Sequence, residues 1–186
     1  MIAQQLLDTG ILQFGIFVSN GKRYPYRLRL EMIPAYPPLF ASIIDAVIHN
    51  LPNKPFDRLI GYTDCVAIAS AVAQKEGVSL VYNRSGSGQP VDDLVGAYDI
   101  GHPACLLLNS ITTDVPKFIS GCQQVGLNIH TILALMTSQQ SIGDIPILSV
   151  FSLENIIGEL HETGQIPTHQ MQATLSHIAS EKQIGF

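Results

Sequence analysis

Short, continuous apolar runs punctuate the middle of this chain, and each gives way to a polar turn and then a helical stretch. Leu59-Ile60-Gly61 closes the first run. Asp64 follows as the predicted N-cap of a helix over Val66–Glu76, which stops at Gly77, a residue that tolerates left-handed backbone. Val78–Tyr82 and Ala104–Leu108 read as the next two strands. Lys117–Val125 reads as a helix closed by Gly126, Asn128–Met136 as a fourth strand, and Ile145–Val150 as a short fifth. Strands that are apolar throughout and alternate with helices predict a parallel sheet covered on both faces. Right-handed crossovers then place the strand C-termini on one rim, where ligands bind in such folds. The expected fold class is α/β, with a central parallel sheet of about five strands flanked by helices.

The flanks are patterned differently. Ile11–Val18 and Tyr24–Leu30 enclose Ser19-Asn20-Gly21, and Asn-Gly is a hairpin-turn signal. A helix is expected from Pro37 to Leu51, ended by Pro52-Asn53-Lys54-Pro55. Two more are expected, Ser152 to His161 and, beyond Thr163-Gly164, Pro167 to Ser180. Ser85-Gly86-Ser87-Gly88-Gln89-Pro90 reads as a flexible loop. The expected organisation is one domain over 1–186: a hairpin region at 1–36, a core at 37–162 and a C-terminal helical extension at 163–186.

Composition narrows the class. With 186 residues, 46% hydrophobic and 13% charged, the chain has ample apolar surface for a core and is not a disordered polymer. Lys and Arg number 10, Asp and Glu 15, and the formal net charge is -5. That is a poor footprint for a nucleic-acid binder, which needs clustered cations, so no nucleic-acid partner is expected. Cys65, Cys105 and Cys122 lack metal-ligand spacing. An odd cysteine count without a secretory signal predicts reduced thiols in a cytoplasmic protein. No apolar run reaches about 18 residues, so no membrane span is expected.

The candidate chemistry lies in Cys105-Leu106-Leu107-Leu108-Asn109-Ser110-Ile111-Thr112-Thr113-Asp114-Val115-Pro116, a buried strand, a polar turn and a helix start. In a nucleotide-handling α/β fold this turn offers acidic residues to a metal-bound sugar and glycines to a phosphate. Here it offers amides, hydroxyls, an aspartate at the helix entrance and a proline.

Leu12-Gln13-Phe14-Gly15-Ile16-Phe17-Val18, followed by Asn20-Gly21-Lys22-Arg23-Tyr24-Pro25-Tyr26, is similar to the opening hairpin of the orotate phosphoribosyltransferase family, the type I phosphoribosyltransferases of pyrimidine synthesis. Phe56-Asp57-Arg58-Leu59-Ile60-Gly61 resembles the strand entering that family's pyrophosphate loop. Asn83-Arg84 and Leu94-Val95-Gly96 flank what would be its mobile catalytic loop. The order and spacing of these pieces carry the resemblance, which runs roughly from residue 5 to 160. It implies a type I phosphoribosyltransferase-like fold with an N-terminal hood. It also implies a reaction in which metal-bound phosphoribosyl pyrophosphate (PRPP) loses pyrophosphate as the orotate nitrogen attacks the ribose.

That reaction needs an acidic pair for the ribose hydroxyls, a loop and helix N-terminus for the 5′-phosphate, loop lysines for pyrophosphate and an arginine for orotate. The implied acidic pair falls on Asn109-Ser110, which are neutral. The phosphate loop falls on Thr112-Thr113-Asp114-Val115-Pro116. There Asp114 sets a carboxylate at the helix N-terminus, filling the anion's place internally, Val115 replaces the flexible glycine and Pro116 has no N–H. The mobile loop, Ser85 to Asp93, carries Asp92 and Asp93 and no lysine. The pyrophosphate loop falls on Tyr62-Thr63-Asp64-Cys65, and the arginine position near Thr137.

The resemblance therefore implies a vestigial pocket of Tyr26, Arg84, Asn109, Ser110, Thr112, Thr113 and Asp114, with no catalytic residue and no metal ligand. The expected protein keeps the fold, has lost phosphoribosyl transfer, and acts as a binding or regulatory module linked to pyrimidine nucleotide metabolism. It is expected to be a homodimer without a cofactor, open to a small nucleotide-like ligand. The alternatives are a divergent active transferase completed by a partner subunit, with magnesium arriving with PRPP, or a structural partner of an active paralogue. Arg23, Arg27 and Arg29 read as solvated edge charges or intersubunit pairs, Asp92-Asp93 as a solvated loop pair, His102 as a surface turn residue and His130 as a satisfied core residue. His49, His161, His169 and His177 lack metal spacing.

Overall fold

The computed structural model describes residues 1–19, 21–53, 55–84, 93–98 and 101–184, with side chains as far as 180. In chain order the elements are helix α1 (Ile2–Asp8), strands β1 (Leu12–Ser19) and β2 (Lys22–Leu28), helix α2 (Pro37–His49), strand β3 (Arg58–Gly61), helix α3 (Val66–Glu76), and strands β4 (Ser79–Asn83), β5 (Leu94–Gly96) and β6 (Pro103–Leu108). Helix α4 (Val115–Gln124), strands β7 (Asn128–Met136), β8 (Ser141–Ile142) and β9 (Ile145–Phe151), and helices α5 (Leu153–Glu162) and α6 (Thr168–Ile184) follow. Single 3-10 turns lie at Leu30–Ala35 and Thr63–Cys65. The chain divides into two compact units, residues 41–150 and residues 1–40 with 151–186.

The unit of residues 41–150 is built on a sheet with strand order β5-β4-β3-β6-β7-β9-β8. β4, β3, β6 and β7 pair in parallel, as their continuous apolar character predicts. The sheet has seven strands rather than about five, because β5 adds antiparallel to β4 and β8 folds back antiparallel on β9. Both added strands are too short to leave a legible apolar run. Ile60, Val81, Leu106, Leu108, Phe118, Ile119 and Ile132 are among the buried side chains of one continuous core. Each large aliphatic side chain so buried stabilises the fold by roughly 1.5–3 kcal/mol before the entropy of ordering is subtracted.

Local chemistry sets the element ends. Gly77 closes α3 in the left-handed region, with φ +67°, and its N–H bonds Ala73 O. Asp64 does not cap α3: the cap position is Cys65, without a side-chain bond, because the 3-10 turn takes Asp64 out of cap geometry. α4 begins at Val115 instead of Lys117, since proline fits the first turn, where its missing N–H goes unused. Cys65, Cys105 and Cys122 are buried free thiols, and burial pushes Cys105 and Cys122 each up to about 12. Burial, and then the charge of Asp64, push Cys65 up as well.

The unit of residues 1–40 and 151–186 contains the expected hairpin. β1 and β2 pair antiparallel, with a register irregularity between Phe14 and Phe17. α6 lies on β2, where the His177 ring meets Tyr24 edge-on at 5.2 Å and Tyr26 at 6.1 Å. The Arg27 guanidinium lies 4.7 Å from the Phe17 ring centroid, and Arg29 sits 3.5 Å from Glu31. Two of the three hairpin arginines therefore have partners within this unit. Ser152 caps α5 through its side chain, accepting from the Asn155 N–H at 3.3 Å. Among the described residues no helix is long and apolar enough to cross a membrane.

Gly96 fixes the far edge of the sheet. Its φ of +131° is a glycine conformation, and a Cβ there would lie 2.9 Å from Val81 Cα and closer still to Leu80 O. Gly77 has positive φ but open space around it. Gly96→Ala is therefore expected to cost about 2 kcal/mol or more, a fall of about 4–8 °C in melting temperature. Gly77→Ala should cost only about 1 kcal/mol. Thermal unfolding followed by circular dichroism checks the order, and equal losses would contradict the close approach at Gly96.

Candidate ligand site at the strand rim

The C-terminal ends of β3, β4, β6 and β7 bring four connections to one rim of the sheet. The first leaves β3 at Gly61. Tyr62 donates its N–H to Leu107 O at 3.1 Å, which ties this loop to β6. Thr63 follows with φ +45°, a left-handed conformation rarely adopted by a β-branched residue. Its N–H donates to Asn83 Oδ1, at the end of β4, at 2.7 Å. The side chain of one strand end thus consumes a backbone donor of the next loop and holds it in strained geometry.

The Tyr62 ring reaches across to α4, with its centroid 4.5 Å from that of Phe118. Burial pushes the Tyr62 phenol up from its ordinary value and the negative charge of Asp114 pushes it further, while a hydrogen bond with the Thr112 side chain works the other way. Tyr62, Thr112 and Asp114 therefore interact over the turn between β6 and α4.

One backbone donor of that turn is bonded within it and another is missing. The Val115 N–H bonds Thr112 O at 3.2 Å, and Pro116 has none to give. Asp114 stands at the cap position, where its backbone oxygen accepts from the Phe118 N–H at 3.0 Å, but its side chain makes no capping bond and is exposed. The expectation that the Asp114 carboxylate fills the anion's place is corrected to this extent: it makes no side-chain capping bond to the helix start and is exposed, while one N–H of the turn is bonded within it and one is lost to proline. Ser110, Thr112 and Thr113 are exposed on the same turn. Asn109 is half-buried, its backbone oxygen accepts from the Met136 N–H at 3.1 Å, and its side-chain Oδ1 is buried with no hydrogen-bond partner.

The connection after β7 is also neutral. Thr137 donates its N–H to Ser149 Oγ at 3.2 Å, and its hydroxyl accepts from the Gln139 N–H at 3.1 Å. Gln139 Oε1 is a second buried acceptor without a partner. Arg84, after β4, is exposed, and its N–H bonds Asp93 O at 2.9 Å. Of the expected mobile loop, Ser85 to Asp93, residues 85–92 lie outside the described residues.

The structure thus brings Asn109, Ser110, Thr112, Thr113 and Asp114 together on one turn and sets Arg84 at the end of β4, which β3 separates from β6. Tyr26 belongs to the other compact unit, on β2. Tyr62 and Gln139 were not singled out from the sequence. Tyr62 could have been, as an aromatic residue immediately after a buried strand; no sequence signal distinguishes Gln139. Magnesium is held through one or two carboxylates and substrate phosphates, and the amide and hydroxyl of Asn109 and Ser110 do not fit that donor set. Among the described residues no three His, Cys, Asp or Glu side chains gather as a metal site.

Charged groups gather instead at the opposite, N-terminal ends of β3 and β6. His102 is half-buried, not a free surface residue, with Nδ1 2.7 Å from Asp57 Oδ2. Arg58 donates to Ala97 O and, at 3.0 Å, to Asp57 O, joining the end of β5 to the start of β3. His130 places Nδ1 3.0 Å from Thr131 Oγ1, but its buried Nε2 has no partner, so it is less fully satisfied than expected.

No family model matches the chain. The folded chain superimposes on the orotate phosphoribosyltransferase of Francisella tularensis with a TM-score of 0.73, at 16% identity over 97% of this chain and 95% of that one. It superimposes on the UMP synthase of Leishmania donovani with a TM-score of 0.80, at 21% identity over 96% of this chain, and spans 42% of that longer protein. These likenesses define the fold as that of a type I phosphoribosyltransferase. In sequence the chain is 23% identical to the orotate phosphoribosyltransferase of Sulfolobus acidocaldarius over 97% of its own length and 96% of that protein. In sequence and in fold the chain is similar to orotate phosphoribosyltransferases.

Tyr62 reports the electrostatics of this rim. Asp114→Asn should lower its ionisation pH, and Thr112→Val, which removes the opposing hydrogen bond, should raise it. A spectrophotometric pH titration, with Tyr62→Phe to isolate the signal, checks both signs. A folded-state value above the unfolded 10.0 also means that Tyr62 contributes stability which is complete below pH 10 and is lost as pH rises through the folded value.

Proposed function

We propose that this orotate phosphoribosyltransferase-like chain has lost phosphoribosyl transfer and serves as a binding or regulatory module linked to pyrimidine nucleotide metabolism. The observation that carries this reading is the turn between β6 and α4. Its Val115 N–H is bonded within the loop, Pro116 has none, and Asp114 adds an exposed carboxylate. A 5′-phosphate is held by backbone N–H groups and a favourable field at a helix N-terminus, and here both are diminished. Neutral Asn109 and Ser110 stand where the resemblance places the carboxylates for the ribose hydroxyls. The protein works without a resident cofactor or metal, in the cytoplasm and as a homodimer.

The competing reading is a divergent active transferase, completed by a partner subunit, with magnesium arriving on PRPP. The full-length similarity to a protein named as an orotate phosphoribosyltransferase favours it. Losing one preorganised electrostatic group costs about 100- to 1000-fold in rate, so several such losses should leave turnover near background. Purified protein incubated with orotate, PRPP and magnesium is expected to show no orotate loss in an absorbance assay. Consumption that Asn109→Ala/Ser110→Ala abolishes would establish the competing reading. Asn109→Asp/Ser110→Asp should not restore activity, because the donors at Val115 and Pro116 remain unavailable.

A further inference from the structure

Away from the rim, at the N-terminal ends of β3 and β6, three ionisable side chains form one connected cluster. His102 Nδ1 lies 2.7 Å from Asp57 Oδ2, and His102 Nε2 lies 3.4 Å from Arg58 Nη2. A guanidinium carries only donors, and an ionised carboxylate only acceptors. The ring therefore donates from Nδ1 to Asp57 and accepts at Nε2 from Arg58, which fits the neutral Nδ1–H tautomer. Arg58 also donates to Ala97 O, at the end of β5, and to Asp57 O. Its side chain is 13% exposed, so these protein acceptors replace most of its contact with water.

One acceptor in the cluster stands idle. Asp57 Oδ1 is buried without a hydrogen-bond partner, and Arg58 Nη1 lies 3.5 Å from it, an ion-pair distance only. A guanidinium drawn onto Asp57 Oδ1 would satisfy that atom. A second proton on His102 selects this arrangement. The Nε2–H would then face an Arg58 N–H, setting two donors and two like charges against each other. Asp57 accepts from Nδ1 in both charge states and keeps the ring in place, so the side chain that moves is Arg58. Among the described residues Asp57 and Arg58 are the charged groups bonded to the ring. β5 and β7 meet the cluster through neutral residues, Ala97 and Asn128, the latter donating its N–H to His102 O. β5 is three residues long, Leu94–Gly96, and pairs with β4 alone. One charge-assisted bond at its end is a large share of what holds so short an edge.

We infer that Asp57, His102 and Arg58 form a proton-operated clasp on the edge strand β5: neutral His102 holds Arg58 against Ala97 O, and protonation of the ring drives the guanidinium onto Asp57 Oδ1 and frees the strand end. The His102 side chain is 32% exposed, which gives the proton access from solvent. An imidazole changes charge between about pH 5 and 8, so the clasp shuts toward the upper end of that range and opens toward the lower. The cluster lies at the opposite ends of β3 and β6 from the candidate ligand site and works whether or not that site holds a ligand.

Hydrogen–deuterium exchange of the full chain, read by mass spectrometry at about pH 8 and about pH 5.5 and corrected for intrinsic exchange, tests it. Protection of peptides spanning Leu94–Ala97 is expected to fall severalfold at the lower pH, while Cys105–Leu108 in β6 keeps its protection. His102→Gln supplies an amide that donates and accepts without titrating, and should keep β5 equally protected at both values. Arg58→Met keeps an apolar stem and has no donor, and should leave β5 poorly protected at both. Nitrogen NMR of the imidazoles, with His102→Gln assigning the signal by difference, should show the Nδ1–H tautomer at the higher pH. Equal protection of β5 at the two values in the unaltered chain overturns the inference. So does a pH step that survives His102→Gln, a matching fall in β6, or an Nε2–H tautomer at the higher pH. These readings decide the matter even where Arg58→Met fails to fold.

Discussion

The parallel pairing of β3 with β6 is the constraint on which the rest of this structure depends. Its register sets Gly61 beside Leu107, and the Tyr62 N–H then extends the ladder by one bond to Leu107 O. Two loops separated by about forty-five residues of chain are thereby brought to one edge. From that edge the Tyr62 ring reaches Phe118, the Thr112 hydroxyl and the field of Asp114. The parallel neighbours β4 and β7 complete the rim with Asn83 and the Thr137–Gln140 turn. No single rim contact is large; a hydrogen bond contributes about 1 kcal/mol net. The buried strands supply the stability that holds a left-handed Thr63 and two unpaired amide oxygens in place.

The rim has the layout of a phosphate site and a different set of available groups. Strand, turn and helix N-terminus follow in the order that such a site requires. At the helix start the Val115 N–H is bonded within the turn and Pro116 has none, and the exposed side chains there include both Asp114 and Lys117. The fold is therefore compatible with ligand binding at this edge. This distinction between scaffold and site is general, because chemistry lives in particular groups and not in topology.

Much of the fold was legible in the sequence because its strands are continuously apolar. β6 and β7 are buried almost throughout, and such runs bounded by turns announce themselves. The Asn-Gly hairpin, the Gly77 stop and the Ser152 start were legible for a similar reason, each resting on a local backbone or side-chain requirement. The short edge strands β5 and β8 were not, since their pairing is decided by neighbours and not by their own residues. α1 was too short to carry a helical period.

The candidate site was legible as a list of missing groups and less so as a set of contacts. Asn109, Ser110, Thr112, Thr113 and Asp114 could be placed on the turn from the strand and helix around them. The hydrogen bond from Thr63 to Asn83 joins residues from different loops, and only the strand register brings them together. His102 likewise reads as a lone turn residue until β3 and β6 pair and bring Asp57 to it.

Equilibrium dialysis with radiolabelled PRPP and magnesium measures the affinity of this rim for the phosphorylated sugar without requiring turnover. No saturable binding is expected up to millimolar ligand, with little change when salt is raised, because the turn lacks the Val115 and Pro116 donors and exposes the Asp114 carboxylate. Saturable, magnesium-dependent binding in the micromolar range, competed by pyrophosphate, would contradict it.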